Sequence, residues 1–293
     1  MVLATEPLVT IVLAFRNGKK NLPAALNSIL WQSYQNWELI LINDGSTDGA
    51  EQLAKSINDV RIRFYSHAIS QGLPACLNQG IALAKGFYIA RMDADDIAFP
   101  QRLAQQVAFL QSHPEIDLLA TSALLIDKNN QAVGILNCGV THQAICSHPW
   151  HGFAMPHPTW MGPTSWFQQH PYDENAVKGQ DQALLFRTYP NSRFAGLSEV
   201  LLGYRYEGLS VTKTITGRFY YLKALAAYGN LEQLLQGAFR HVLAVIRDIG
   251  CITLGLEKQV IRKRVSPINS EIIAEWQRLL YRMSKLLKET NHF

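Results

Sequence analysis

The sequence predicts an α/β fold: a mainly parallel sheet flanked by helices, with a C-terminal helical extension. Short β-rich runs alternate with helical patterns through the first 127 residues. The first such run, Val9–Phe15, is continuously apolar, as strands covered on both faces of a parallel sheet are. After Val211 the pattern changes to long helical stretches with a basic excess.

Each element has a local reason. Asn21 is placed to cap a helix that puts Leu22, Leu26, Ile29 and Leu30 on one face, with Pro23 in its first turn. Trp37–Ile42 reads as a second strand, and Asp48 with Glu51 as the capping box of the next helix. Arg61–Tyr65 is a third strand. Leu73–Lys85 is helical, with Leu77, Ile81 and Ala84 at helical spacing. Phe87–Met92 is a fourth strand, and Pro100 opens a helix carrying Leu103, Val107 and Leu110. Ile116–Ile126 is another apolar strand, closed by a turn at Asn129-Asn130. Lys178–Tyr189 is helical, and long helices cover 218–248 and 270–289, joined by a basic loop. The expected division is a catalytic domain over 1–210, with halves at 1–127 and 128–210, and a basic helical extension over 211–293.

Composition excludes several classes. With 48% hydrophobic and 17% charged residues, the chain is neither disordered nor a coiled coil. Four cysteines without a C-x-x-C pair make no disulfide scaffold and read as reduced. The N-terminus lacks the basic region and cleavage site of a signal peptide, and no apolar run is long enough for a membrane span, so the expected location is cytoplasmic. Residues 1–210 carry 14 basic and 17 acidic side chains, whereas residues 211–293 carry 13 and 6. The basic tail, with Ile273, Trp276, Leu280, Met283 and Leu287 on one side of its last helix, suits an anionic membrane surface on the cytoplasmic face. It suits docking on the catalytic domain or a dimer contact equally well. Its modest charge and lack of a recognition motif argue against nucleic acid.

In parallel α/β sheets ligands bind beyond the carboxyl ends of the strands. That rule singles out 14–17, 43–48 and 93–96. Asp93 and Asp95, two apart on an extended chain, project together, and adjacent carboxylates repel unless a cation lies between them. Such oxygen ligands suit Mg²⁺ or Mn²⁺. Alternatively this is a solvated loop in which Asp96 helps cap the next helix. Asp44 ends the second strand beside Gly45, where a carboxylate can accept an N–H from a nucleotide base; alternatively this loop only caps a helix. The 137–172 segment holds five His and three Trp, a composition for stacking on sugars or for ordinary packing. The spacing of His148, His151 and His157 fits no standard zinc pattern.

Together these pieces resemble the family 2 glycosyltransferases, whose GT-A fold is a Rossmann-like sheet flanked by helices. The matching residues are VTIVLAFRN (9–17), LNSILWQSYQNWELILINDGSTD (26–48) and GLPACLNQGIALAKGFYIARMDADDIAFPQRLAQQVAFL (72–110). The match is close over 8–127 and looser over 156–210. The resemblance implies an inverting transfer from a nucleoside-diphosphate sugar, usually a UDP-sugar, to a hydroxyl acceptor. That acceptor would be a saccharide or lipid-linked precursor of a polysaccharide, lipopolysaccharide or glycolipid. Ala14, Phe15, Arg16, Asn17, Asp44, Gly72, Asn78, Asp93 and Ala94 would form the donor site, with Asp44 on the base. A divalent cation, Mn²⁺ or Mg²⁺, would sit on Asp95 and Asp93. Asp181, after Gly179-Gln180, matches the general base. His157, Trp160, Gln180, Arg187 and Arg205 would contact the acceptor or diphosphate, Arg205 lying in a Tyr204-Arg205…Ser210 segment near the family's C-terminal lid. The chain departs from the family at Arg16, where a tyrosine often packs on the base, at Asn43, where aspartate is common, and at Gln180, where glutamate is usual. A sugar nucleotidyltransferase would want a Gly-rich phosphate loop, and only Gly18 follows the first strand. A binding or scaffold protein without turnover would not need Asp93, Asp95 and Asp181 together.

Overall fold

The computed structural model describes residues 6–206, 208 and 210–289, except the side chains of residues 213, 257, 258 and 286–289. Expectations resting on residues 1–5, or on the side chains of Lys258, Leu287 and Lys288, lie outside the described residues.

Strands β1 (Val9–Phe15), β2 (Trp37–Asp44), β3 (Ile62–His67) and β4 (Tyr88–Arg91) pair in parallel in the order β3-β2-β1-β4. Helices α1 (Leu22–Leu30), α2 (Ala50–Ser56) and α3 (Leu73–Leu83) connect them. The unbroken apolar run of β1 feeds two cores at period two. Val9, Ile11, Leu13 and Phe15 pack with Leu22, Leu26 and Ile29 of α1, whereas Val12 packs with Leu77 and Ile81 of α3.

Beyond β4 the parallel character gives way to mixed pairing. β5 (Ile97–Ala98) pairs antiparallel with a later strand, β9 (Phe194–Arg205). Helix α4 (Arg102–Ser112) leads into β6 (Leu118–Ile126), which runs parallel to β9. β7 (Ala132–Leu136) folds back on β6 as a hairpin, and β8 (Met161–Pro163) lies antiparallel to both β4 and β6. Short returns such as the Asn129-Asn130 turn, with Asn130 at φ 62°, permit only antiparallel neighbours. Helices α5 (His142–Cys146), α6 (Thr164–Gln169) and α7 (Gln180–Thr188) occupy the connections of this second half.

The caps differ from the sequence expectation. Asn21 precedes α1, but its side chain makes no cap; the Gly18 carbonyl accepts the N–H groups of Asn21 and Leu22. Asp48 and Glu51 form no capping box. Asp48 accepts the N–H of Ala50 and of Lys19, while Glu51 turns to Lys55 and Ser66. Asp96 caps no helix, because it accepts the N–H of Arg205 at 2.8 Å on β9.

The expected single helix over 218–248 is two helices, α8 (Val211–Tyr228) and α9 (Leu231–Thr253). The break falls at Gly229-Asn230, where Asn230 and Gln233 form a capping box. The short α10 (Glu257–Arg262) and the long α11 (Ser270–Glu289) follow. Tyr221 and Leu225 of α8 enter the core on the α3 face of the sheet. Trp276, Leu279 and Met283 of α11 pack on Ile97, Phe99, Leu124 and Ile126. A side chain at position 203 would collide with Trp276, since a Cβ on Gly203 would sit 2.6 Å from its ring. The buried side of α11 therefore docks on the sheet. Among the described residues, no helix is long and apolar enough to cross a membrane.

Glu38 ties four segments together. It is 8% exposed and accepts from the Thr10 hydroxyl (2.7 Å), the Lys85 N–H (2.8 Å) and Arg63 (3.1 Å). Burial alone would raise its carboxyl, but these three donors outweigh it and hold it below the ordinary value.

Two outcomes follow from this packing. Trp276→Ala should cost about 3–5 kcal/mol, read as a lowered urea midpoint, because it opens a cavity under α11 and orphans the Asn130 carbonyl that Trp276 Nε1 satisfies. Glu38→Gln should cost roughly 1–3 kcal/mol at neutral pH. A depressed carboxyl contributes above its unfolded value and loses that contribution as pH falls, so the gap to wild type should close below about pH 4. A gap independent of pH would contradict this.

Candidate active site

The carboxyl ends of β1, β2, β3 and β4 share one edge of the sheet, where the loops after them meet. At the end of β1, Ala14 and Phe15 are buried, whereas Arg16 and Asn17 just after it are exposed. Asn17, at φ 53°, donates its N–H to Ser46 Oγ (2.9 Å) and accepts that of Thr47 (2.8 Å), lacing this loop to the one after β2. Asn43 does likewise: its Oδ1 accepts the Ser46 N–H, and its Nδ2 donates to Ser66. Gly45 must lack a side chain, because its φ is 70° and a Cβ would lie 2.9 Å from Ser70 N.

Asp44, 5% exposed, is the anchor of this edge. It accepts the N–H groups of Gln71 (2.6 Å) and Gly72 (3.1 Å) and the Ser70 hydroxyl (2.7 Å). Arg16 donates to that same Ser70 hydroxyl at 3.2 Å. Burial opposes ionisation of Asp44, but its donors outweigh it and keep the carboxyl below its ordinary value.

The acidic turn follows β4. Asp93, Asp95 and Asp96 offer oxygens that lie within 4.8 Å of one another. Arg91, only 3% exposed, forks onto Asp93, with one branch at 2.7 Å. Arg205 braces the turn: it donates to the Asp95 carbonyl (2.8 Å), the Asp127 carbonyl (3.0 Å) and Asn130 Oδ1 (2.7 Å). Asp96 is 1% exposed and its Oδ2 has no hydrogen-bond partner. Burial, then Asp93 and Asp95, push its carboxyl well above the ordinary range. An orphaned buried oxygen among hard oxygen donors is a donor set that fits Mg²⁺ or Mn²⁺.

The other carboxylate is Asp181, in the first turn of α7 behind Gly179 and Gln180. Burial raises its carboxyl above the ordinary value. Gln182 donates to Asp181 at 3.3 Å and accepts the Phe153 N–H, joining this carboxylate to the 153 loop. A cavity of about 290 Å³ beside it is lined by Asp181, Gln182, Phe153, His157 and Tyr204. His157 shares a 2.7 Å hydrogen bond with Tyr172, and burial and Arg91 hold it neutral. The Tyr172 and Tyr204 hydroxyls, raised mainly by burial, each feel both Asp93 and Asp181. Both tyrosines therefore lie within electrostatic reach of both acidic groups.

Other sequence-selected residues fall behind this space. Trp160 is fully buried against His157 and donates to the Met155 carbonyl. Asn78 exchanges hydrogen bonds with the Tyr172 backbone, and Arg187 donates to the Pro171 carbonyl. Both thus hold the 171–174 segment. Sequence reasoning missed Arg91, Tyr172, Gln182 and Ser70. Arg91 alone carried a signal, since it precedes Asp93 by two on an extended chain.

The sequence profile of Glycosyl transferase family 2 matches residues 10–134. The putative glycosyltransferase EpsE of Bacillus subtilis is 42% identical over 126 residues, covering 42% of this chain and 45% of that protein. An uncharacterized glycosyltransferase of Methanocaldococcus jannaschii is 30% identical over 206 residues, covering 68% of this chain and 71% of that protein. The chain thus spans less than half of the first relative and most of the second. S. aureus TarS 1-349, solved in complex with UDP-GlcNAc, superposes with a TM-score of 0.63 at 16% identity, over 94% of this chain and 80% of that one. Its complex with UDP gives 0.60 at 19% identity, over 80% and 71%. At these identities the likeness establishes the GT-A fold. The chain belongs to glycosyl transferase family 2.

Proposed function

We propose that the chain transfers a sugar from a nucleoside-diphosphate donor, a UDP-sugar, to a hydroxyl acceptor, inverting the anomeric centre. The observation that supports this reading is the cavity beside Asp181, lined by Tyr204, whose neighbour Arg205 braces the acidic turn after β4. TarS, whose fold the chain shares, was solved with UDP and with UDP-GlcNAc.

In this reading the donor base rests against Ala14, Phe15 and the Asp44–Gly72 junction, with Arg16 stacking on the base or pairing with phosphate. Asp93, Ala94 and Asp95 take the ribose and diphosphate region, and Asp95 with Asp93 holds Mn²⁺ or Mg²⁺. A bound divalent cation supplies Lewis-acid stabilisation of the departing diphosphate. Asp181 accepts the proton of the acceptor hydroxyl while its oxygen bonds to the anomeric carbon. The bond from that carbon to the diphosphate breaks, and the nucleoside diphosphate leaves with its electron pair. Burial raises Asp181 toward a more basic carboxylate, which suits proton abstraction. Neutral His157 and Tyr172 border the acceptor side, and Gln182 fixes the Asp181 carboxylate. Arg205, Asn78 and Arg187 position the surrounding loops. Residues 1–210 form the transferase body, and α8 and α9 border its acceptor side.

Asp181→Asn should lower turnover by about 10²–10⁴ while donor affinity holds. Equal turnover would remove Asp181 as base. In wild type, activity should rise with pH through a midpoint above the ordinary aspartate value of about 4, read from the kcat profile. UDP with Mn²⁺ should raise the melting temperature more than UDP alone; saturation at 100 Kd corresponds to about 2.7 kcal/mol. Replacing UDP by GDP or dTDP tests the base. A response to none of the three nucleotides would overturn the donor assignment.

A further inference from the structure

A large cavity lies away from the donor edge. It measures about 970 Å³ and opens between α8, α9 and α10. Its lining includes Arg218, Arg240, Arg247, Lys263 and Arg264. Among the described residues, the carboxylate paired with these groups is Asp248, which is fully buried. Asp248 accepts from Arg218 (2.8 Å), Arg247 (2.7 Å) and Arg264 (2.7 Å). Three guanidiniums on one carboxylate leave the cluster positive, and Arg240 and Lys263 add to it.

His241 forms part of the cavity wall. It is 7% exposed. Its Nδ1 lies 3.0 Å from Arg218 Nη1, a group that can only donate, so Nδ1 accepts and the proton sits on Nε2. That Nε2 is buried and turned toward the Trp150 backbone. Burial, reinforced by Arg218, holds the ring neutral, with its pKa down at about 4, so His241 adds no charge to the cluster.

The cavity also communicates with the base. Beside Asp181, the smaller cavity shares Phe153, Ala154 and Gln182 with an intermediate groove. That groove shares His151, Arg218, His241 and Arg264 with the cationic cavity. One path therefore runs from the Asp181 carboxylate to the arginine cluster.

We propose that this path holds the acceptor, and that the cationic cavity binds a phosphoryl group carried by the acceptor at a distance from its reacting hydroxyl. The proposal rests on the reading of Asp181 as base. Guanidinium forks match phosphate oxygens, and a phosphoryl group balances a cluster that retains more than one excess positive charge. Phe239 and Leu243 at the rim are exposed, so the phosphoryl group can belong to a soluble phosphorylated glycan or to a lipid.

The test uses the full chain and inorganic phosphate as probe, followed by thermal shift with and without saturating UDP and Mg²⁺. Wild type should show a saturable phosphate shift that persists with UDP. In the Arg240→Gln, Lys263→Gln double variant, both sites being exposed and outside the catalytic groups, apparent phosphate affinity should fall at least about tenfold. Its UDP shift should match wild type, which also reports its folding. Unchanged phosphate affinity in the variant, or a phosphate shift abolished by UDP, overturns the proposal. A phosphate shift without any UDP response overturns the transferase reading and the acceptor role with it, leaving an anion site alone. Co-sedimentation with phosphatidylcholine vesicles with and without phosphatidic acid identifies the source. Phosphatidate-dependent binding lost in the double variant supports a lipid-borne group, and phosphate binding without it supports a soluble one.

Discussion

Three carboxylates crowd the turn after β4 at the carboxyl edge of the sheet, and the structure is arranged to keep them there. Asp93, Asp95 and Asp96 are close enough that their ionised forms repel strongly in a low-dielectric setting. Arg91 offsets part of this from within β4, itself buried and locked onto Asp93. Arg102 donates to the Arg91 carbonyl, and burial depresses its guanidinium to about 9. Two buried arginines are a poor route to stability, because their desolvation offsets their pairing. Their value here is positional. They fix the acidic turn in one geometry, and Arg205 on β9 fastens the same turn from a strand more than a hundred residues later.

That constraint explains how the two halves of the sheet are joined. β4 is the last strand of the all-parallel half, and the acidic turn leads directly into β5, which pairs with β9. The Asp96–Arg205 contact adds a side-chain link to that pairing. The carboxyl edge of the parallel half and the β9 side of the sheet are consequently held in fixed relation by buried groups rather than by a hinge. The docked face of α11 closes the far side of β5 and β9 through Phe99 and Gly203.

The parallel half was readable in the sequence because its information is local. Continuous apolar runs, helical spacing and loop residues at strand ends all lie within a few residues of one another, and they located Asp44, Asp93 and Asp95. The second half was not readable in that way. Which strand β6 accepts as a neighbour depends on contacts across more than seventy residues, which no periodicity records. Trp160 illustrates the limit: a tryptophan beside His-Pro suits sugar stacking, yet its ring is enclosed in the core. Asp48 and Asn21 show another. Their side chains suit caps, but a nearby carbonyl or a second loop offered a competing partner. The break at Gly229-Asn230 was visible as a glycine followed by a capping residue, and helical periodicity on both sides concealed it.

The same division shapes how such a chain can diverge. The donor edge is made by loops that satisfy one another through backbone hydrogen bonds, as Asp44 does with Gln71 and Gly72. Changing such a carboxylate disturbs several segments together, so the sequence there is tightly constrained. The acceptor side is assembled from separate pieces: the 153–157 loop, Tyr172, α7, and the side chains of α8, α9 and the segment after α10. Each touches the path through side chains alone at several points, as Arg218, Arg240 and Lys263 do. These can change one at a time without unseating the sheet. The pattern of likeness fits this physics. The family profile covers residues 10–134, which hold β1 to β6. The part of the chain that would select the acceptor is thus the part where a local change costs the fold least.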